Sequence, residues 1–211
     1  MNLSQIKAVV FDCDGVMFDT AMANRRFYDQ VRTHFKKPPL TDTQFVQVHM
    51  MTVADAISYL FPDMADHEPV FRCVKQIGAH NFIQFMVMAD GLIGLLADLA
   101  SNGYIRAVAT NRTDTMEKVL KDFDLTDLFD MVVTAADVIN PKPHPEQLEK
   151  IMTRFSLQPN QVLFIGDSTY DQQAARAAGT VFAAFSQPQL EADLHAQVMA
   201  DIASALGIAD K

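Results

Sequence analysis

At 211 residues, the chain is long enough to bury a large hydrophobic core and to hold one domain with a substantial insertion. Hydrophobic residues make up 49% of the sequence and charged residues 20%, which excludes a disordered chain. The formal net charge of −9 disfavours nucleic-acid and membrane partners, and no apolar run is long enough to span a bilayer. The first apolar run leads directly into acidic residues, so no signal peptide is expected and a cytoplasmic location is predicted.

The first predicted element is a buried strand over about residues 6–11, because β-branched and aromatic residues form a short apolar run there. This run ends at Asp12 and Asp14, and Gly15 marks the point where the strand breaks. Open α/β sheets bind their ligands at the carboxyl ends of strands, and side chains at i and i+2 share one face. Two carboxylates this close need a cation or a proton to offset their repulsion.

The segment from about residue 20 to residue 88 has helical periodicity and is predicted to be an all-helical insert. Pro38-Pro39 and Phe61-Pro62 separate its helices, and Thr52 is a predicted N-cap. We expect this insert to lie at the carboxyl edge of the sheet, above the two aspartates.

From Asp90 onward, strand patterns alternate with helical patterns, which is typical of a parallel sheet covered by helices on both faces. The predicted strands cover residues 105–109, 131–134, 162–165 and 181–184. The predicted helices cover residues 91–100, 114–121, 144–155, 171–178 and 189–206.

The ends of these strands, and the segment after the third, carry polar residues that a parallel sheet brings to one crevice: Asp12, Asp14, Thr110, Asn111, Lys142, Asp167 and Asp171. Several carboxylates in one crevice indicate a hard divalent cation, and with a phosphate present they favour Mg²⁺. Lys142 and the Thr110 hydroxyl are suited to balance the oxygens of a phosphoryl group. One carboxylate of the first pair can attack phosphorus, while the other protonates the leaving oxygen and later activates water.

These residues resemble the motifs of the haloacid dehalogenase-like hydrolase superfamily. The segment Asp12-Cys13-Asp14-Gly15-Val16 is similar to the first motif. The second, third and fourth motifs are matched by Thr110, by Lys142 and by the segment Gly166-Asp167-Ser168-Thr169-Tyr170-Asp171. The resemblance implies a Rossmann-like parallel sheet of strand order 5-4-1-2-3, with a small helical cap of the C1 type inserted after strand 1. It implies a catalytic core of residues 1–16 and 88–211 and a cap of residues 17–87.

The resemblance also implies roles for the site residues. Asp12 would be the nucleophile and Asp14 the general acid and base. The Mg²⁺ ligands would be Asp12, the backbone carbonyl of Asp14, and Asp167, with Asp171 in the outer shell. The phosphoryl group would be held by Thr110, Asn111 and Lys142.

The insert resembles the cap of the phosphoglycolate phosphatase and β-phosphoglucomutase branch. Where the mutases carry a Lys-Gly pair followed by an arginine, this chain has His49, Met50 and Val53, which favours a phosphatase. We therefore predict a Mg²⁺-dependent phosphatase acting on a small phosphorylated metabolite. A phosphosugar mutase is the alternative, and a catalytically silent binding protein is a third hypothesis. His49, Met50 and Arg25 are the candidate substrate-specificity residues of the cap, and Arg112 is a further candidate cation beside the phosphate-binding turn. The sequence leaves monomer and weak dimer open.

Overall fold

A computed structural model describes residues 3–208 of the chain. Its strands, in chain order, are β1 (Ala8–Phe11), β2 (Phe18–Asp19), β3 (Val87–Met88), β4 (Ile105–Ala109), β5 (Met131–Val133), β6 (Val162–Gly166), β7 (Val181–Phe185) and β8 (Leu194–Ala196). Six of these strands form one sheet of order β5-β4-β1-β6-β7-β8, in which all neighbouring strands are parallel. The predicted α/β class and parallel sheet are confirmed.

The helices are α1 (Ala21–His34), α2 (Asp42–Met50), α3 (Val53–Leu60), α4 (Glu68–Ile77), α5 (Leu92–Ser101), α6 (Met116–Asp122), α7 (Glu146–Phe155), α8 (Thr169–Ala178) and α9 (Met199–Leu206). Across residues 3–208, no helix combines the length and the apolar character needed to cross a membrane.

The central strand, β1, is buried on both faces, as its apolar run predicts. Val9 and Phe11 belong to the hydrophobic core on one face of the sheet, and Ala8 and Val10 belong to the core on the other. This alternation follows from the two-residue period of a strand. Because β1 pairs with β4 on one side and β6 on the other, the ends of three strands meet directly beside Asp12.

The predicted order 5-4-1-2-3 counts only the core strands, which are β1, β4, β5, β6 and β7 in chain order. It therefore corresponds to β7-β6-β1-β4-β5, which is the order observed, and β8 adds a sixth strand beside β7. The sequence pattern predicts one continuous helix over residues 189–206, and that prediction is wrong in its first half. Leu194–Ala196 pairs with β7, and only Met199–Leu206 is helical. Asp201 accepts hydrogen bonds from the backbone N–H groups of Gln197 and Val198 and so marks the helix start. Sheet hydrogen bonds from the preceding strand, β7, override the local helical pattern here.

The helices α1–α4 lie between β2 and β3, which pair with each other antiparallel. The predicted N-cap is confirmed, since the Thr52 hydroxyl oxygen accepts from the backbone N–H of Asp55. Phe27, Ile57 and Phe82 of this segment, which we call the helical insert, belong to the same hydrophobic core as Val9 and Phe11. The boundary of a separate cap at residues 17–87 stays a prediction.

Candidate active site

The candidate site begins at Asp12, the first residue after β1. Its side chain is buried, and Oδ1 accepts from the backbone N–H of Cys13 (2.7 Å) and pairs with the Nζ of Lys142 (2.7 Å). Burial raises the pKa of Asp12 and the neighbouring carboxylates raise it further, whereas Lys142 opposes them. The Cys13 thiol is also buried, and burial raises its pKa, which excludes a reactive thiolate at this position.

Lys142 lies between two carboxylates in the interior. Its Nζ is 2.7 Å from Asp12 Oδ1 and 2.7 Å from Asp171 Oδ1, and its side chain is 2% exposed. Burial alone would lower the pKa of Lys142, but the charges of Asp12 and Asp171 outweigh burial and raise it. Lys142 is therefore a fixed cation at this site.

Two amide side chains hold the backbone that carries Lys142. Gln147, fully buried in the first turn of α7, accepts from the backbone N–H of Lys142 (3.2 Å) and donates to the carbonyl of Thr110 (2.7 Å). Asn111 donates from Nδ2 to the carbonyl of Lys142 (2.9 Å). Gln147 was not predicted from the sequence, although its position five residues after Lys142, on the helix that follows, was an available signal.

Asp12, Asp167 and Asp171 form a carboxylate cluster in which one oxygen from each residue lies within 4.8 Å of the others. Burial raises the pKa of Asp167, and the charges of Asp171 and Asp12 add to this effect. Gly15 permits the approach of Asp167, because a Cβ there would lie 1.9 Å from Asp167 Oδ2.

The residues of this cluster fit a divalent cation. The two cations, Lys142 and Arg112, are each already paired with a carboxylate, and Asp167 is left without a cationic partner among the described ion pairs. All donors are hard oxygen atoms, which Mg²⁺ prefers. Asp171 differs from the other two in that both of its carboxylate oxygens accept hydrogen bonds. Its Oδ1 accepts from Lys142, and its Oδ2 accepts from the backbone N–H and hydroxyl of Ser168.

Asp14 pairs with Arg112 instead of Lys142. The Nε of Arg112 donates to Asp14 Oδ2 (2.8 Å) and its Nη2 donates to Oδ1 (2.7 Å), so the contact is bidentate. Burial by itself would raise the pKa of Asp14, but the Arg112 guanidinium lowers it to about 2. The two predicted catalytic aspartates therefore have unlike surroundings and unlike partners.

A cavity of about 100 Å³ lies between the sheet edge and the helical insert. Asp12, Asp14, Asn111, Arg112, Lys142 and Asp167 line it from the sheet side. The insert supplies His49 and Met50, together with Asn24, Tyr28 and a set of apolar side chains. The substrate-specificity role of His49 and Met50 stays a prediction.

The His49 ring is held by Asn24, whose Nδ2 lies 2.9 Å from His49 Nδ1, and it stacks on Phe45. Burial lowers the pKa of His49, which favours the neutral ring, although the charge of Asp14 opposes this. Asn24 was missed from the sequence, because nothing local indicates that a residue of α1 faces the end of α2.

Two predicted residues have surroundings that differ from those expected. Arg25 pairs with Asp42 (2.6 Å) and stacks on Phe45, so its charge is taken up on the outside of the insert and not in the cavity. Thr110 is fully buried, and its hydroxyl oxygen accepts from the backbone N–H of Arg112 (3.2 Å). The phosphate-binding role of Thr110 stays a prediction.

Known proteins resemble this chain in sequence and in fold. The sequence profile of the family described as haloacid dehalogenase-like hydrolase matches residues 9–185. A phosphoglycolate phosphatase from Yersinia pestis is 29% identical over 187 residues, covering 85% of this chain and 80% of its own. A pyrophosphatase, PpaX, from Bacillus pumilus is 24% identical over 181 residues, covering 85% of this chain and 83% of its own. The crystal structure of a hydrolase of the same superfamily, subfamily IA, from Geobacter sulfurreducens is 36% identical and superposes with a TM-score of 0.78, covering 97% of this chain and 98% of its own.

Proposed function

The chain belongs to the haloacid dehalogenase-like hydrolase family, and we propose that it is a Mg²⁺-dependent phosphatase that acts on a small phosphomonoester through an aspartyl phosphate. One observation carries this proposal. Asp12, at the end of the central strand, borders the cavity, contacts the fixed cation Lys142 and belongs to the carboxylate cluster. A nucleophile, a cation and a set of oxygen ligands therefore meet at one place.

In the first step, an Asp12 carboxylate oxygen attacks phosphorus and forms the aspartyl phosphate while the ester P–O bond breaks. The electron pair of that bond passes to the leaving oxygen, which takes a proton from Asp14. Asp14 can carry this proton only after the ion pair that holds its pKa at about 2 has opened. In the second step, Asp14 removes a proton from water, and the water oxygen attacks phosphorus. Inorganic phosphate leaves and the Asp12 carboxylate is restored. The proton that Asp14 takes from water thus replaces the one that it gave to the leaving oxygen.

Asp12, Asp167 and the backbone carbonyl of Asp14 would hold Mg²⁺, with Asp171 acting from the outer shell. Bound Mg²⁺ supplies positive charge that stabilises the oxygens of the transferring phosphoryl group. Lys142 holds the Asp12 carboxylate in position and contributes a second positive charge at the same oxygens. Asp171 fixes Lys142 through its 2.7 Å contact and is itself fixed by Ser168.

The size of the cavity limits the substrate. Pockets for drug-sized ligands have volumes of roughly 300–1,000 Å³, whereas this cavity measures about 100 Å³. The named activities of the two relatives, on phosphoglycolate and pyrophosphate, involve small leaving groups. We therefore expect a leaving group of only a few heavy atoms, which disfavours sugar phosphates and nucleotides.

A panel of phosphate compounds tests the proposal. Purified protein is incubated with Mg²⁺ and 2-phosphoglycolate, pyrophosphate, ethyl phosphate, a sugar 1-phosphate or a nucleoside monophosphate, and phosphate release is measured. Turnover that EDTA removes, and that excess Mg²⁺ restores, is expected for at least one of the small substrates. No release from any compound would contradict the proposal and favour a silent binding protein. Conversion of the sugar 1-phosphate to its 6-phosphate faster than phosphate release would favour a mutase.

A further inference from the structure

Arg112 lines the cavity, but the mechanism above gives it no contact with the substrate. Among the described residues that line the cavity, Arg112 and Lys142 are the two with permanent positive charge. Lys142 is enclosed by Asp12 and Asp171 and is 2% exposed, whereas the Arg112 side chain is 12% exposed and contacts the insert through Met86. A negatively charged leaving group in this cavity would therefore find its cation in Arg112.

The insert offers no competing charge. The residues that it contributes to the cavity lining within the described chain include no lysine, arginine or carboxylate. His49 is half-buried and held by Asn24, and this partial burial favours its neutral ring. The recognition of an anionic leaving group thus depends on a residue of the sheet edge.

The present partner of Arg112 is the group that the leaving oxygen needs. Both carboxylate oxygens of Asp14 accept from the guanidinium, one from Nε and one from Nη2. An Asp14 carboxyl that donates a hydrogen bond to the leaving oxygen no longer offers the guanidinium two anionic oxygens, because one oxygen then carries the proton and is a much weaker acceptor. Arg112 must release at least one oxygen before Asp14 can act.

We propose that Arg112 is a specificity-determining residue that exchanges Asp14 for the negative charge of the leaving group, so that an anionic leaving group frees Asp14 for proton transfer. The inference rests on the proposed phosphatase function. A carboxylate or phosphate on the leaving group gives the guanidinium a new bidentate partner as it leaves Asp14. A neutral leaving group offers none, and Arg112 then either stays on Asp14 or is left as an unpaired, largely buried charge.

The strand that precedes Arg112 in the chain, β4, provides a matched control. Arg106, near the start of β4, also forms a bidentate pair with an aspartate, with its Nε 3.3 Å from Asp130 Oδ2 and its Nη2 3.1 Å from Oδ1. Asp130 belongs to none of the site clusters, and Arg106 does not line the described cavity. The Arg106→Met variant therefore reports the effect of losing an Arg–Asp pair of this kind without touching the site.

Two esters of nearly equal size test the exchange. The leaving group of 2-phosphoglycolate carries a carboxylate, and the leaving group of ethyl phosphate carries a methyl group in its place. The kcat and KM of both are measured with saturating Mg²⁺ for the wild type, Arg112→Met, Arg112→Lys and Arg106→Met. The wild type is expected to prefer 2-phosphoglycolate.

In Arg112→Met, the ratio of the two kcat/KM values falls by about 100-fold. The kcat/KM for 2-phosphoglycolate falls because its carboxylate loses the guanidinium, and kcat for ethyl phosphate rises because Asp14 is freed. Arg112→Lys restores part of the ratio, and Arg106→Met leaves it at the wild-type value.

An equal loss for both esters in Arg112→Met would overturn the exchange and make Arg112 a structural residue. Wild-type kcat/KM values for both esters in Arg112→Met would overturn it as well. Both results leave the proposed phosphatase function in place. Absence of turnover of any phosphate compound by the wild type would overturn the proposed function and the exchange together.

Discussion

The two sides of the cavity differ in chemistry. The sheet edge presents carboxylates and cations in short contacts. Lys142 and Asp12 are buried and 2.7 Å apart, and the bidentate contact of Arg112 with Asp14 is partly buried. The insert presents mainly apolar side chains and the Asn24–His49 pair. The sheet side is built to stabilise charge, and the insert side is built to exclude water and limit size. We therefore expect changes at Asp12 and Lys142 to affect the rate on every substrate, and changes in the insert to affect which leaving groups fit. Arg112 is the exception at the sheet edge, because the proposed exchange makes it select for the charge of the leaving group.

The largest loss is expected for Asp12→Asn, because an amide cannot form the aspartyl phosphate. Phosphate release should fall by about 10⁴-fold or more on every substrate, while the circular dichroism spectrum is retained. Asp19→Asn is the control, since Asp19 is exposed and its carboxylate accepts from the backbone N–H of Ala21. If Asp12→Asn kept a tenth of the wild-type rate, Asp12 could not be the nucleophile.

Lys142→Met should reduce both activity and stability. Removing one partner of a buried ion pair lowers the free energy of unfolding by roughly 3–5 kcal/mol, because the other charge is left unpaired. Lys118→Met is a matched control, because Lys118 also lies 2.7 Å from a carboxylate, that of Asp122, but on the surface with the lysine 46% exposed. Lys118→Met should lower the free energy of unfolding by less than about 1 kcal/mol. Urea unfolding without Mg²⁺ measures both variants, and equal costs would contradict the burial argument.

Mg²⁺ should stabilise the protein more at about pH 8 than at about pH 5. Because burial holds the pKa of Asp167 above its ordinary value of 3.8, the metal-free folded state keeps a proton that the unfolded chain loses. The contribution of Asp167 to stability without metal therefore falls as the pH rises above about 4. Mg²⁺ must displace that proton, so it binds more tightly as the pH rises.

Thermal unfolding with EDTA and with excess Mg²⁺ tests this dependence. The increase in Tm should be several degrees at about pH 8 and smaller at about pH 5. Asp167→Asn should remove most of the increase at both pH values. An increase in Tm that is larger at the lower pH would show that Mg²⁺ does not bind at this cluster.

His49→Leu should have a moderate effect that depends on the substrate. The change leaves the Asn24 amide without its partner in a partly buried position, which lowers the free energy of unfolding by about 1–3 kcal/mol. It also loosens the insert side of the cavity. We expect kcat/KM to fall by about tenfold, mainly through KM, with unequal effects across the panel of phosphate compounds. His34→Leu, on an exposed part of α1, is the control. A uniform fall in kcat would instead place His49 with the sheet edge.

The smallest effect is expected for Arg25→Ala. Its partner Asp42 is almost fully exposed, and exposed ion pairs contribute at most about 1 kcal/mol. The kcat/KM for 2-phosphoglycolate should stay within about twofold of the wild type. A selective loss of anionic substrates in this variant would mean that the insert does supply a recognition charge, and the contrast between the two sides would fail.

Much of the fold was predictable because its signals are local. The apolar run of β1 and the strand–helix alternation after Asp90 identified a parallel sheet, and a parallel sheet places its strand ends at one edge. The positions of Asp12, Lys142 and Asp167 in one crevice follow from that geometry. The strand β8 was missed because its partner, β7, supplies hydrogen bonds that a local helical pattern does not reveal.

The sequence by itself determined which groups reach the site: the two aspartates after β1, the lysine between two prolines and the carboxylates that follow β6. Only the tertiary structure decided which of these groups are partners. Arg112 pairs with Asp14 across 98 positions of sequence, and Lys142 pairs with Asp12 and Asp171 instead. Strand periodicity and motif spacing act over a few residues, whereas ion pairing and burial depend on neighbours that only the folded sheet and insert bring together.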